Sequence, residues 1–134
     1  MASRRVLPDT VVLSNYVGEV DDVATYQHTT LKFCYCPVEE GAAQGLPARR
    51  EADDGILYIF DRNTKATDEA GNVRQYLAYD LWKIVTDKTP FWTLNTDGKD
   101  KFRKIGTKRE YKIESFAHKV NGSPRMWHFE VKGR

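Results

Sequence analysis

Apolar and polar positions alternate along this chain in short runs separated by turn residues, the pattern of an all-β domain. Residues 10–17 (TVVLSNYV) are rich in β-branched side chains and bounded by Pro8-Asp9 and Gly18, which predicts a strand. Residues 26–35 alternate, with Leu31, Phe33 and Tyr35 on one face and Thr30, Lys32 and Cys34 on the other, until Pro37 stops the run. Ile56, Leu57, Tyr58, Ile59 and Phe60 follow one another without a break, so residues 55–62 read as a strand buried on both faces. Between these strands, residues 38–54 are polar, without period, and carry Gly41, Gly45 and Pro47. So long a loop is usually functional. A second polar loop, or the wide tip of a hairpin, is expected over residues 63–72.

The stretch 73–85 mixes signals. Leu77, Leu81, Ile84 and Val85 fit helical spacing, and Asn72 with Gln75 resembles a capping box, which predicts a short helix around residues 79–85. Strands are expected again over residues 91–95, 101–105, 110–117 and 125–131, with Asn121-Gly122 as a hairpin turn. In the last of these, Trp127, Phe129 and Val131 share one face and Met126, His128 and Glu130 the other. The second half therefore reads as a β-meander over one hydrophobic face. The predicted architecture is a single domain over residues 1–134: mainly β, a small β-barrel or β-sandwich with one short helix and long loops at about 38–54 and 63–72.

Length and composition agree with one such domain. The chain has 134 residues, 40% apolar and 30% charged, and no apolar run approaches the ~20 residues of a membrane-spanning helix. Its start, MASRRVLPDT, lacks an apolar h-region, so no secretory signal is expected there. The net charge is +2, but it is unevenly placed: residues 1–74 hold 8 Lys/Arg against 12 Asp/Glu, and residues 75–134 hold 13 against 7. The basic excess concentrates in Lys99, Lys101, Arg103, Lys104, Lys108, Arg109 and Lys112, opposed by Asp100 and Glu110. Such a run attracts phosphate backbones or an acidic protein surface. Its plainer reading is a solvated hairpin whose charges keep a sheet edge from aggregating.

Catalytic signatures do not emerge. The sequence holds no Gly-rich phosphate loop, nucleophile elbow, His-Glu-x-x-His or Cys-x-x-Cys. Cys34 and Cys36, the two cysteines, sit two apart on a strand and are expected to be reduced thiols. His28, His118 and His128 are scattered. The carboxylates pair as neighbours, Asp21-Asp22, Glu39-Glu40 and Asp53-Asp54, and consecutive residues of an extended chain point apart, which makes poor acid–base dyads. Weak divalent-ion binding by the long loop is the one metal chemistry they would allow. No cofactor is expected. Phe91-Trp92 and Trp127-His128-Phe129, close to the basic run, would suit a base-stacking platform or, alternatively, a core.

Residues 79–106, YDLWKIVTDKTPFWTLNTDGKDKFRKIG, resemble a segment of the small minor capsid proteins of tailed bacteriophages, of the head-closure or head–tail connector type. The matching positions are Tyr79, Thr86, Asp87, Lys88, Phe91, Trp92, Thr93, Leu94 and Gly106. Towards the C-terminus Gly122-Ser123, Met126, His128-Phe129 and Val131-Lys132-Gly133-Arg134 also match. At the N-terminus so do Leu7-Pro8, Thr10-Val11, Asn15-Tyr16 and the run from Tyr26 to Thr29. The resemblance covers about three quarters of the chain. It departs at Asp97-Gly98-Lys99-Asp100, where the family's Gly-Asp turn is lengthened and gains a cation. The resemblance implies a non-enzymatic β-barrel that forms a ring below the portal and its adaptor, closes the DNA-filled head and offers the tail its docking surface. The implied location is the virion neck, after synthesis in the host cytoplasm. The implied partners are further copies of the chain, portal, adaptor and tail proteins, and packaged DNA by non-specific contact. On this reading Lys99, Lys101, Arg103, Lys104, Lys108 and Arg109, with Glu39, Glu40, Asp53 and Asp54, are the candidate subunit-interface or channel-facing residues. Competing expectations are a tail terminator or tail-completion protein and, in a different class, a single-stranded nucleic-acid-binding barrel.

Overall fold

The computed structural model describes residues 7–37, 54–97 and 99–134. Among these residues nine strands and one short helix follow one another as β1 (Asp9–Val20), β2 (Val23–Cys34), β3 (Gly55–Phe60), β4 (Lys65–Thr67), β5 (Gln75–Tyr76), α1 (Tyr79–Trp82), β6 (Phe91–Trp92), β7 (Lys101–Lys104), β8 (Tyr111–Lys119) and β9 (His128–Gly133). Seven of them form one antiparallel sheet in the order β3-β9-β8-β7-β1-β2-β4, while β5 and β6 make a small parallel pair. The expected mainly-β class is what the chain adopts, and β7-β8-β9 is the expected meander. The sheet curls but does not close into a barrel. Its edge strands β3 and β4 are joined by the turn of residues 61–64, and the chain just past β2 meets β3 at the Tyr35–Tyr58 bridge. The curl encloses Val11, Leu13, Leu31, Leu57, Ile59, Trp92, Phe102, Ile113, Phe129 and Val131. At one end the Tyr111 ring stacks on Phe102 and lies so close to the backbone of Gly55 that a Cβ there would sit 2.6 Å from it.

Several expectations are corrected. The first strand does not stop at Gly18; the register shifts there, with Gly18 at φ 134°, and β1 continues to Val20. Asp21 and Asp22, both at positive φ, then make the two-residue turn into β2. Positive φ at both central positions matches the right-handed twist of the flanking strands. In β2 a bulge at Phe33, φ 61°, inverts the alternation, so Cys34 points into the core and Tyr35 outward, opposite to the expected faces. Strand β3 is buried on one face only, through Leu57 and Ile59, because the core fills the inner side of the curl while Ile56 projects to solvent on the outer side. The polar stretch 63–72 contains β4, closed by a turn in which Asp68 Oδ1 accepts from the Ala70 and Asn72 amides. Those hydrogen bonds, the Asn72 amide first, hold the Asp68 carboxyl below its usual range.

Asn72 and Gln75 make no capping box, since Gln75 lies in β5 and Ala78 occupies the N-cap. The helix is a single turn that buries Trp82 and leaves Leu81 and Ile84 exposed. Of residues 91–95 only Phe91 and Trp92 are strand; Thr93 and Leu94 are buried beyond it. In β8 a further bulge between Ile113 and Ser115 turns Phe116 towards the core. Asn121-Gly122 lies in a longer connection that holds a 3-10 turn at Pro124–Met126. Trp127 therefore sits outside the ladder, half-buried, its indole N–H on the Gly122 carbonyl, and the inward face of β9 is Phe129, Val131 and Gly133. Most of the long loop, with Glu39, Glu40 and Asp53, lies outside the described residues; Asp54 is exposed ahead of β3.

Candidate interaction surface

Partners across an antiparallel ladder project from the same face. The register therefore sorts the basic run. Leu13 opposite Phe102 points inward, so Ser14 opposite Lys101, and Val12 opposite Arg103, point outward. Lys101 is in turn opposite Lys112 on β8. Continuing across the sheet, Ser14 faces His28 and Thr10 faces Lys32 on β2, and Lys32 faces Lys65 on β4. Lys101, Arg103, Lys112, Lys32 and Lys65 thus share one outer face, spread over the four strands β7, β8, β2 and β4. Two of its contacts, Lys101–Lys112 and Lys32–Lys65, set like charges directly opposite one another, which is destabilising unless an anion lies over them.

Aromatic groups lie within this face. Tyr16 and Tyr26 meet edge to face at 5.9 Å, and Tyr26 stacks on His28, whose Nδ1 is 2.8 Å from Ser14 Oγ. Lys99 Nζ lies 4.5 Å from the centre of the Tyr16 ring, and Lys101 Nζ 4.5 Å from that of Tyr26. Lys101 also pairs with Glu110 at 3.0 Å. The other members of the run separate from the patch. Lys104 turns to Asp9 at 3.5 Å, and Arg109 covers the Tyr111 ring in the β7–β8 connection beside exposed Lys108; Arg103 stays on the face with its Nη1 on the Thr107 carbonyl. Lys32, Lys65, Tyr16, Tyr26 and His28 were not singled out for this face by sequence. The period-two pattern of β2 carries Tyr26, His28 and Lys32, but nothing local joins them to β7 or β4.

Beneath the face lies a buried polar joint. Asn15 Nδ2 donates to the Thr93 carbonyl and to Asp100 Oδ2, both at 2.8 Å. The Tyr16 amide donates to Asp100 Oδ1 at 2.8 Å, and the Thr93 amide to Asn15 Oδ1. Asn15, Thr93 and Asp100 are all nearly inaccessible to water. Burial pushes the Asp100 carboxyl up to about 6 against the pull of its amide donors. No protein-family model, curated protein or solved structure matches the chain.

The remaining family-type positions are mainly packing and turn residues. Trp92 and Leu94 are core, Phe91 is half-buried, and Tyr79 stacks on Trp82. Gly106 and Gly122 take positive φ in turns. Met126 is exposed, and His128 packs on Phe60 and Tyr58 with Nε2 3.0 Å from Glu130. On the opposite side from β7, a cavity of about 570 Å³ opens where the curl is incomplete, floored by Tyr76, Trp92 and Phe129 and rimmed by a His118–Asp61 contact of 2.8 Å. Among the described residues no three His, Cys, Asp or Glu side chains gather to hold a metal ion, and no helix is long and apolar enough to cross a membrane. Both cysteines are buried and unlinked; burial, with Cys36 and Asp9 nearby, pushes the Cys34 thiol up to about 12.

Proposed function

We propose that this protein is a structural component of a tailed-phage neck, acting through self-assembly and docking rather than catalysis. One observation carries the reading. The three segments that resemble the connector-type minor capsid proteins are distant in sequence, yet Asn15 from the first and Thr93 from the second meet in one buried joint, closed by Asp100 at the point of departure. The third supplies β9, which lies against β8 and β3 in the same sheet. The matched residues thus hold together a compact scaffold, as expected where the shared property is a shape to be docked. In this role the charged outer face and the β1–β2 hairpin meet neighbouring subunits.

A second reading has its own support: Tyr16, Tyr26 and His28 lie on the cationic face, the combination a single-stranded nucleic-acid platform uses. Light scattering with negative-stain imaging, across a concentration series, tests both. Closed rings are the result expected of the neck protein. A monomer that binds oligonucleotides tightly, with affinity falling steeply in salt, would replace that reading with the second.

A further inference from the structure

Strand β7 pairs with β1 only from Val11 to Ser14, and β4 with β2 only from Thr30 to Lys32. Beyond Tyr16 and Tyr26 the hairpin therefore continues as a two-stranded arm, projecting about 13 Å at the usual rise per residue. A lone two-stranded ribbon is marginal in water. This one also leaves Val17, Val20 and Val23 exposed, Val20 at 61% and Val23 at 64%. Its tip concentrates negative charge in Glu19, Asp21 and Asp22. Among the described residues no cation lies within ion-pair distance of them. The turn itself puts two adjacent aspartates at positive φ, where glycine would relieve both repulsion and strain.

The outer face has the opposite excess. Lys112, Lys32 and Lys65 likewise have no carboxylate at ion-pair distance among the described residues, and the register opposes them to other lysines. Each surface is self-repelling alone, and each carries what the other needs. We infer that the acidic tip of the β1–β2 arm of one copy seats on the lysine-rich outer face of a second copy, head to tail. The exposed valines then pack over the Val12 and Thr30 region, between the two lysine pairs. Because the two patches differ, the contact is heterologous, and repeated rotation either closes a ring or extends a filament. The inference rests on the self-assembly proposed above and names its interface.

The test uses the full chain. Reversing the tip (Asp21→Lys with Asp22→Lys) or the face (Lys32→Glu with Lys112→Glu) should weaken self-association about tenfold or more at low salt, since like charges then oppose across the contact. Mixing the two reversed proteins should restore hetero-association, because each then presents a surface complementary to the other's. To read the topology, Asp22→Cys and Lys112→Cys are treated with a short bismaleimide; the native thiols are buried. The expected result is a ladder from the double variant, heterodimers from mixed single variants, and no product from either alone. Circular dichroism checks that each variant is folded. Tip-to-tip dimers from Asp22→Cys alone, or no tip-to-face product at the highest concentration, overturns the contact. Rings seen without tip-to-face product would refute the interface and leave the neck reading standing; a ladder without rings would do the reverse.

Discussion

Asp100 offers the most direct check on the buried joint. Its carboxyl moves from an ordinary 3.8 in the unfolded chain to about 6 in the fold, chiefly through burial. Each tenfold change in proton affinity is worth about 1.4 kcal/mol, so ionised Asp100 costs the fold about 3 kcal/mol at neutral pH. The sign follows from proton binding. Between pH 4 and 6 the native state holds the proton that the unfolded chain has released, so stability falls as pH rises through that window. Below pH 4 and above about pH 6 Asp100 contributes no slope. Asp100→Asn removes the titration and sets an amide NH2 against Asn15 Nδ2, losing one hydrogen bond, about 1 kcal/mol at any pH. The assay is urea unfolding of both proteins from pH 4 to 7.5, read as the difference in unfolding free energy. Other titrating groups cancel in that difference. The variant should gain on the wild type by about 3 kcal/mol across pH 4 to 6. Parallel profiles would refute the assignment of a buried, titrating Asp100.

Three further outcomes follow from the same geometry. Replacing Asp21-Asp22 by Asn-Gly should raise stability by about 1 kcal/mol, because these residues accept positive φ more readily; thermal unfolding of the monomer at low concentration measures it. The same change removes two tip charges and should weaken self-association, so a more stable protein that assembles better would contradict the proposed contact. Gly55→Ala should destabilise the fold by roughly 1–3 kcal/mol, since the new methyl meets the Tyr111 ring; an unchanged unfolding midpoint would show that the ring moves freely. Both thiols should resist Ellman's reagent in the native protein and react fully in denaturant, whereas fast native labelling would contradict their burial.

Local pattern made much of the sheet legible and topology hid the rest. The alternation of β2 and the β-branched run of β1 marked their strands, and the meander over one hydrophobic face was readable from period two alone. Gly18 misled because a glycine in an extended run reads as a terminus when it accommodates a bulge. The positive φ of Phe33 carries no local signal at all, yet it exchanges the faces of Cys34 and Tyr35. The apolar spacing of Leu77, Leu81 and Ile84 suits a helix, but the sheet offers burial only to Trp82. Of the candidate surface, Lys101, Arg103 and Lys112 were visible as a charge run. Lys32 and Lys65 join them only because β1, β2 and β4 lie side by side beyond β7, which residue spacing does not encode. Asp100 counted as a counter-charge in that run, and only the fold shows it buried beneath the face rather than on it.

The central place of β1 has a consequence for how the chain reaches its fold. Its first partner, β2, follows across a two-residue turn, and hairpins close within about 1–10 μs. Its second partner, β7, brings Phe102 to Leu13 only after most of the chain has been made. At about 5–20 residues per second, that leaves one edge of β1 unpaired on the ribosome for several seconds. Over that interval the Val11–Ser14 edge is open to any other strand. The slow step of folding is thus expected to be the arrival of the meander on a waiting hairpin, and Asp9 and Lys32, at the base of that hairpin, are placed to discourage strangers from pairing there first.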